Sequence, residues 1–182
     1  MRKIFLFMNV SLDGYFEGPD HDISWTHRGF EAYSSEQSQE VDTVLFGHRT
    51  YEMMKSFWPT ADAQEFAPEI ARFMNEKRKV VASHTPFEPG WSNVTVFNVD
   101  VPREVRRLKE GPGKTIAIFG SNNLCVNLME DGLIDEFQII INPVAIGEGT
   151  SLFKGLSKKV ELKLIETHPF KSGTVLLTYA RV

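Results

Sequence analysis

The 182-residue chain reads as a three-layer α/β domain, a mostly parallel mixed sheet with helices on both faces and an antiparallel hairpin at its C-terminal side. Three observations predict this. Short apolar runs ending in glycine alternate with segments of helical spacing through the first two-thirds of the chain. From Asp135 the pattern changes to strict alternation of apolar and polar residues. The length suits one hydrophobic core, residues 1–182, with 42% hydrophobic and 24% charged residues and neither repeat nor low-complexity linker.

Taken in order, Lys3–Val10 is a buried strand, followed by a glycine-rich loop through Asp13-Gly14 and Gly18-Pro19. Thr43–Phe46 is a short strand running into Gly47, and a helix from His48 ends before Pro59, because a residue preceding proline disfavours the α region. Phe66, Ile70, Phe73 and Met74 recur on one helical face, with Pro68 in the first turn. Lys79–Ala82 and Thr95–Phe97 read as strands, Pro102–Glu110 as a helix stopped by Gly111, and Thr115–Phe119 as a buried strand ending at Gly120. Leu124, Cys125, Leu128 and Met129 share the face of a helix that stops at Gly132. Phe137, Ile139 and Ile141 then alternate, as do Val160, Leu162 and Leu164, and Val175, Leu177 and Tyr179. The last two runs, separated by Thr167–Gly173, predict an antiparallel hairpin at the sheet edge.

The formal net charge of −4 predicts neither nucleic acid nor an anionic membrane as partner, so an anionic ligand must be held by a local site. The apolar run after Met1-Arg2-Lys3 is too short for a secretory signal, and no segment reaches the ~18 apolar residues of a membrane span. Cys125 is the only cysteine, which excludes an internal disulfide. These features predict a cytoplasmic protein, in which the Asn93-Val94-Thr95 sequon is silent. His21, His27, His48, His84 and His168 show no metal-binding spacing, and Cys125 on an apolar helix face reads as core.

Two strand-to-helix junctions carry the chemistry. Leu45-Phe46-Gly47-His48-Arg49-Thr50-Tyr51 and Ile118-Phe119-Gly120-Ser121-Asn122-Asn123-Leu124 both run strand, glycine, polar donors, helix. Glycine admits a ligand close to the backbone, and a helix start offers N–H groups and the positive dipole end. Either junction alone also fits a simple turn. Together they suit a dinucleotide, although no G-x-G-x-x-G follows the first strand.

These residues carry a resemblance. Phe7-Met8-Asn9-Val10-Ser11-Leu12-Asp13-Gly14-Tyr15, Phe46-Gly47-His48-Arg49-Thr50-Tyr51-Glu52 and Phe119-Gly120-Ser121-Asn122 look like dihydrofolate-reductase-like proteins. Ile141-Asn142-Pro143-Val144, then Gly147-Glu148-Gly149 and Leu152-Phe153, is most like the C-terminal reductase domain of the bifunctional deaminase-reductase of riboflavin biosynthesis. The resemblance implies the dihydrofolate-reductase-like fold, NADPH as cofactor, and hydride transfer to a small heterocycle, nominally 5-amino-6-(5-phosphoribosylamino)uracil or a pterin-type compound. It implies that Gly47, His48, Arg49 and Thr50 hold cofactor phosphates. Ser83 and His84 stand where relatives bind the 2′-phosphate, and Gly120, Ser121, Asn122 and Asn123 where they cradle the pyrophosphate. Phe16 and Glu17 fall in the loop that covers the nicotinamide, and Asn9, Trp25 and Glu148 near the substrate.

The chain departs from the family at His48, where relatives carry arginine; Arg49 follows, about 100° further round the helix. Histidine is only partly charged near neutrality. The proton donor is open between Asp13, which also suits the Asp13-Gly14 turn, and Glu31, which also suits a solvated helix start; Glu148 is a rival acid between two glycines. A non-catalytic protein of the same fold that binds a nucleotide or another small ligand is the alternative to an enzyme. A homodimer is expected through Val160–Ile165 and Thr174–Ala180, because Ile140 and Leu176 put apolar side chains on a second face that needs cover. Relatives of the riboflavin-reductase type pair in this general way.

Overall fold

The first strand, β1 (Ile4–Ser11), shows how the layers arise. Ile4, Leu6, Met8 and Val10 enter one core cluster, while Phe5 and Phe7 enter another. A strand without a polar face is buried on both sides, which is the habit of a parallel sheet between helices. The computed structural model describes residues 1–26 and 35–182; Glu31 and His27 lie outside them.

After β1 come β2 (Tyr15–Glu17), α1 (Ser35–Glu40), β3 (Val41–Gly47), α2 (His48–Phe57), α3 (Ala61–Phe66) and α4 (Pro68–Glu76). Next are β4 (Arg78–Ala82), β5 (Val94–Phe97), α5 (Val101–Glu110), β6 (Thr115–Phe119) and α6 (Asn122–Glu130). The chain closes with β7 (Glu136–Asn142), β8 (Thr150–Ser151), β9 (Leu162–Pro169) and β10 (Val175–Arg181). Eight strands form one sheet in the order β5-β4-β3-β6-β1-β7-β10-β9, and β2 pairs with β8 in a small second sheet. Pairings from β5 through β7 are parallel; β10 is antiparallel to both β7 and β9. Val105 of α5 and Leu124, Leu128 and Met129 of α6 pack one face, and Tyr51 of α2 with Phe73 and Met74 of α4 pack the other.

The structure corrects four local expectations. Phe66 does not share a helix with Ile70, Phe73 and Met74: it ends α3, because Ala67 leaves the helical region (φ −151°, ψ 77°) ahead of Pro68. Val160 packs against the core outside the strand, which starts at Leu162. The hairpin turn is shorter than Thr167–Gly173, since β9 runs on to Pro169 and Phe170 N donates to Thr174 O at 2.9 Å. Finally, Ile140 needs no partner molecule. It is fully buried in its own chain, and Leu176 and Phe170 of the hairpin pack against the same cluster.

No helix among the described residues is long and apolar enough to cross a membrane.

Candidate active site

The two glycine-ended junctions meet because their strands are neighbours: Leu45 of β3 lies opposite Ile118 of β6, so both chains leave the sheet side by side. Ser121 Oγ accepts from Gly47 N at 2.7 Å and donates to Thr50 Oγ1 at 2.9 Å, which stitches one junction to the other. Gly120 has φ +70°, and a Cβ there would stand 2.9 Å from Thr50 Cγ2. Neither conformation nor space admits a side chain. The starts of α2 and α6 both lack a side-chain cap, so their first N–H groups face the junction without an intrahelical partner.

A groove of about 1020 Å³ opens over these helix starts. Gly47, His48, Arg49 and Thr50 line it from β3 and α2, Ser83 and His84 from the end of β4, and Ser121, Asn122 and Asn123 from α6. Phe16 and Glu17 line its near end. Within this groove the predicted residues separate into two groups. His48 stacks on Phe87 with ring centroids 4.0 Å apart, and its Nδ1 lies 3.2 Å from Ser83 Oγ. Arg49 points elsewhere. Its Nη2 donates to both Glu17 carboxylate oxygens at 2.8 Å, and Nη1 lies 3.3 Å from His21 Nε2. One helical position separates the two side chains, as the spacing predicts.

Some predicted ligands are already engaged. Ser83 Oγ donates to Thr85 O at 2.7 Å. Asn122 Nδ2 donates to Ser151 O and Lys154 O, both at 3.3 Å, and ties α6 to the chain after β8. That segment also brings Lys154 into the groove, a cation that sequence reading missed because nothing in its local pattern marks it.

Beside the groove lies a cavity of about 750 Å³. Phe7, Met8 and Asn9 of β1 form one wall, Met53, Met54 and Phe57 of α2 another. Phe66, Ile70 and Phe73 close it from α3 and α4, and Phe119 from β6. Phe16, Glu17, His21, Arg49, Thr50 and Ser121 line both spaces, so groove and cavity join there. The signal for this cavity was the density of apolar residues between Met53 and Met74, more than one helical face of core requires.

Glu17 is the acid at that junction. It is 5% exposed, and its carboxyl lies below the ordinary range: burial opposes this, while the Thr150 hydroxyl, Arg49 and His21 outweigh it. Gly149 lets β8 come this close, since a Cβ there would stand 2.1 Å from Glu17 O.

Three predicted substrate or catalytic residues lie outside the described walls of the cavity. Asp13 is exposed, and its carboxylate accepts from Ile146 N at 3.2 Å and Gly147 N at 2.8 Å, fastening one loop to another. The Ser11 hydroxyl first, then those backbone donors, hold its carboxyl low, so at neutral pH it has no proton to give. Glu148 is exposed on the loop beside it. Trp25 is half-buried, and its Nε1 finds no acceptor among the described residues. Asn9 does line the cavity, its Oδ1 accepting from Asn142 Nδ2 at 3.1 Å. No group of three His, Cys, Asp or Glu among the described residues is placed to hold a metal ion.

Residues 2–176 match the RibD C-terminal domain model. The chain belongs to that family. It is 31% identical over 179 residues to the uncharacterized protein YyaP of Bacillus subtilis (strain 168), covering 98% of this chain and 94% of YyaP. The diaminohydroxyphosphoribosylaminopyrimidine deaminase/5-amino-6-(5-phosphoribosylamino)uracil reductase of Thermotoga maritima superposes on it with a TM-score of 0.70 at 16% identity. That match covers all of this chain and 57% of the Thermotoga one. Dihydrofolate reductase from Enterococcus faecalis, complexed with NADP(H), superposes with a TM-score of 0.66 at 14% identity, covering 98% and 96% of the two chains. The fold of this RibD C-terminal domain is therefore dihydrofolate-reductase-like.

Proposed function

We propose that the chain is an NADPH-dependent reductase of a small ring compound. The observation that carries this reading is the pair of uncapped helix starts, joined through Gly47, Ser121 and Thr50, at the boundary between a polar groove and an apolar cavity.

The residues fit the cofactor. The N–H groups of α2 and α6 suit a pyrophosphate, and Gly120 lets the β6 junction pack directly against Thr50, which holds the two helix starts together. His48, His84 and Ser83 offer polar contacts at the end of β4 for a 2′-phosphate. NADPH, when bound, would supply the hydride, and these residues would hold it beside the acceptor. Thr50 and Ser121 fix the orientation of whatever lies between groove and cavity.

Acceptors of two kinds come into question: a ribosylamino-pyrimidine phosphate, suggested by the family, and an unphosphorylated ring compound. A second reading, binding without turnover, is favoured by one observation. The carboxylate at the joint, Glu17, is committed to Arg49, and Asp13 stands outside. Fluorescence quenching by NADPH, followed by its oxidation across an acceptor panel, separates the readings. Tight binding and substrate-dependent oxidation support the reductase; binding with no acceptor supports the second reading; no binding removes both as written.

A further inference from the structure

We propose that the cavity beside the groove receives a neutral, largely apolar ring compound, and not a phosphorylated one. This deepens the reductase reading and rests on it for the word substrate, though not for binding.

The walls come from six separate elements, β1, β2, α2, α3, α4 and β6, and are mostly apolar. Polar side chains are found at the joint with the groove (Glu17, His21, Arg49, Thr50, Ser121), at Asn9, and at Ser24 and Thr26 on one rim. Four large apolar side chains that the fold leaves in water, Ile23, Met53, Phe57 and Phe66, belong to this one cavity. Exposed apolar groups gathered in a concavity mark a binding site more often than they mark a core.

The aromatic rings are already arranged for a planar guest. Phe7 meets Phe119 at 5.7 Å and 64°, Phe73 meets Phe119 at 6.2 Å and 81°, and Phe57 meets Phe66 at 6.2 Å and 70°. Edge-to-face sets of this kind accept a further ring in the same manner. Met53, Met54 and Met74 add polarizable side chains that adapt to ring shape, so the cavity tolerates a range of such compounds.

A phosphate has no such accommodation. It carries close to two negative charges and must be paired when desolvated. Among the described residues lining the cavity, Arg49 is the single Lys or Arg, and its guanidinium is shared by both oxygens of Glu17. Moving Arg49 to a substrate phosphate would strand Glu17, which is 5% exposed, beside a second anion.

The test uses the whole chain without cofactor, then with it. 2-Methylnaphthalene, which has no reducible group, is titrated against the intrinsic fluorescence to which Trp58 of the cavity contributes. Saturable binding is expected, weakened tenfold or more by Phe66→Glu and by Phe57→Ser. Both residues are partly exposed, and circular dichroism is expected to report an unchanged fold. NADPH affinity is expected to be the same in both variants, since neither residue lines the groove. 2-Naphthaldehyde is then expected to drive NADPH oxidation at a rate that falls in the same two variants. Absence of saturable naphthalene binding, or binding that neither substitution alters, overturns the proposal. So does displacement of the naphthalene by 5-amino-6-(5-phosphoribosylamino)uracil at tenfold lower concentration. Naphthalene binding without NADPH binding would retain the cavity assignment and reject the reductase reading instead.

Discussion

Arg49 must choose between Glu17 and a ligand, and that choice decides what its removal does. The guanidinium lies with Glu17 and His21 at the joint, whereas His48 stands with Ser83 at the end of β4. A charge-assisted contact to a phosphate is worth ~1.5–3 kcal/mol, but drawing the guanidinium off Glu17 offsets much of it, so Arg49→Ala is expected to weaken cofactor binding by no more than about tenfold. NADPH and NADH should suffer alike, while His48→Ala and His84→Ala should weaken NADPH selectively. Dissociation constants for both cofactors in the three variants check the assignment; a loss confined to NADPH in Arg49→Ala would put the arginine on the 2′-phosphate. Glu17→Gln, which releases the guanidinium, should tighten both cofactors. Gly120→Ala tests the joint itself. Its positive φ and the 2.9 Å approach to Thr50 Cγ2 predict a loss of about 2 kcal/mol in a urea titration, with cofactor affinity lost as well. An unchanged denaturation midpoint would show that the loop shifts without strain.

At the level of elements, what the sequence revealed and what it hid have a common cause, the range of the interactions. Thr115–Phe119 forms the predicted strand, and the helix carrying Leu124 and Leu128 forms because its apolar spacing is local information. The two uncapped helix starts were legible for the same reason, each marked by a glycine between an apolar run and polar donors. β2 and β8, of three and two residues, are too short for any period and exist through pairing across more than a hundred residues. Glu17 and Arg49 are 32 positions apart, so their pairing could not be read in advance; of the six elements that line the cavity, only the apolar stretch between Met53 and Met74 was marked locally. Lys79 in β4 is a further case. It is fully buried, donates to Asn75 O at 3.1 Å and Lys77 O at 2.8 Å at the end of α4, and lies 4.6 Å from the Trp91 ring centroid. Burial pushes its pKa down to about 8 from 10.5. Below pH 8 both folded and unfolded chains hold this proton, and the fold bears the full penalty of burying the charge. Between about 8 and 10.5 the unfolded chain still binds a proton that the folded one has released, so this contribution to stability rises with pH. The difference in urea midpoint between the parent and Lys79→Met should therefore shift in the parent's favour across that window. A constant difference would mean that Lys79 titrates normally in the fold.

At the scale of the whole molecule, the open question is what happens at the β9 edge. The eight strands make seven pairings, which leaves β9 with one neighbour, as it leaves β5 at the other end. Leu164 and Ile165 are 50% and 56% exposed there, although β10 pairs with the strand throughout. These two residues favour a homodimer more than Ile140, which is fully buried in this chain, or Leu176, which is half-buried against the same cluster. Strand-to-strand addition is the less favourable geometry. The register shifts at Ile165, between the partners of Thr178 and Tyr179, and Lys163 and Glu166 flank the apolar pair. Bulges and charges of this sort protect an edge from continuous pairing. Side-chain packing about a twofold axis meets no such obstacle and buries the same apolar surface on both copies. Size-exclusion chromatography with light scattering is then expected to give about twice the 20.7 kDa chain mass. Ile165→Lys should return the protein to monomer, because a twofold contact places the two introduced charges near each other in a desolvated interface. Leu176→Lys should instead lower stability through the core it touches, with little direct effect on assembly. A monomer in the parent protein rejects the dimer, and a dimer that survives Ile165→Lys moves its interface away from β9.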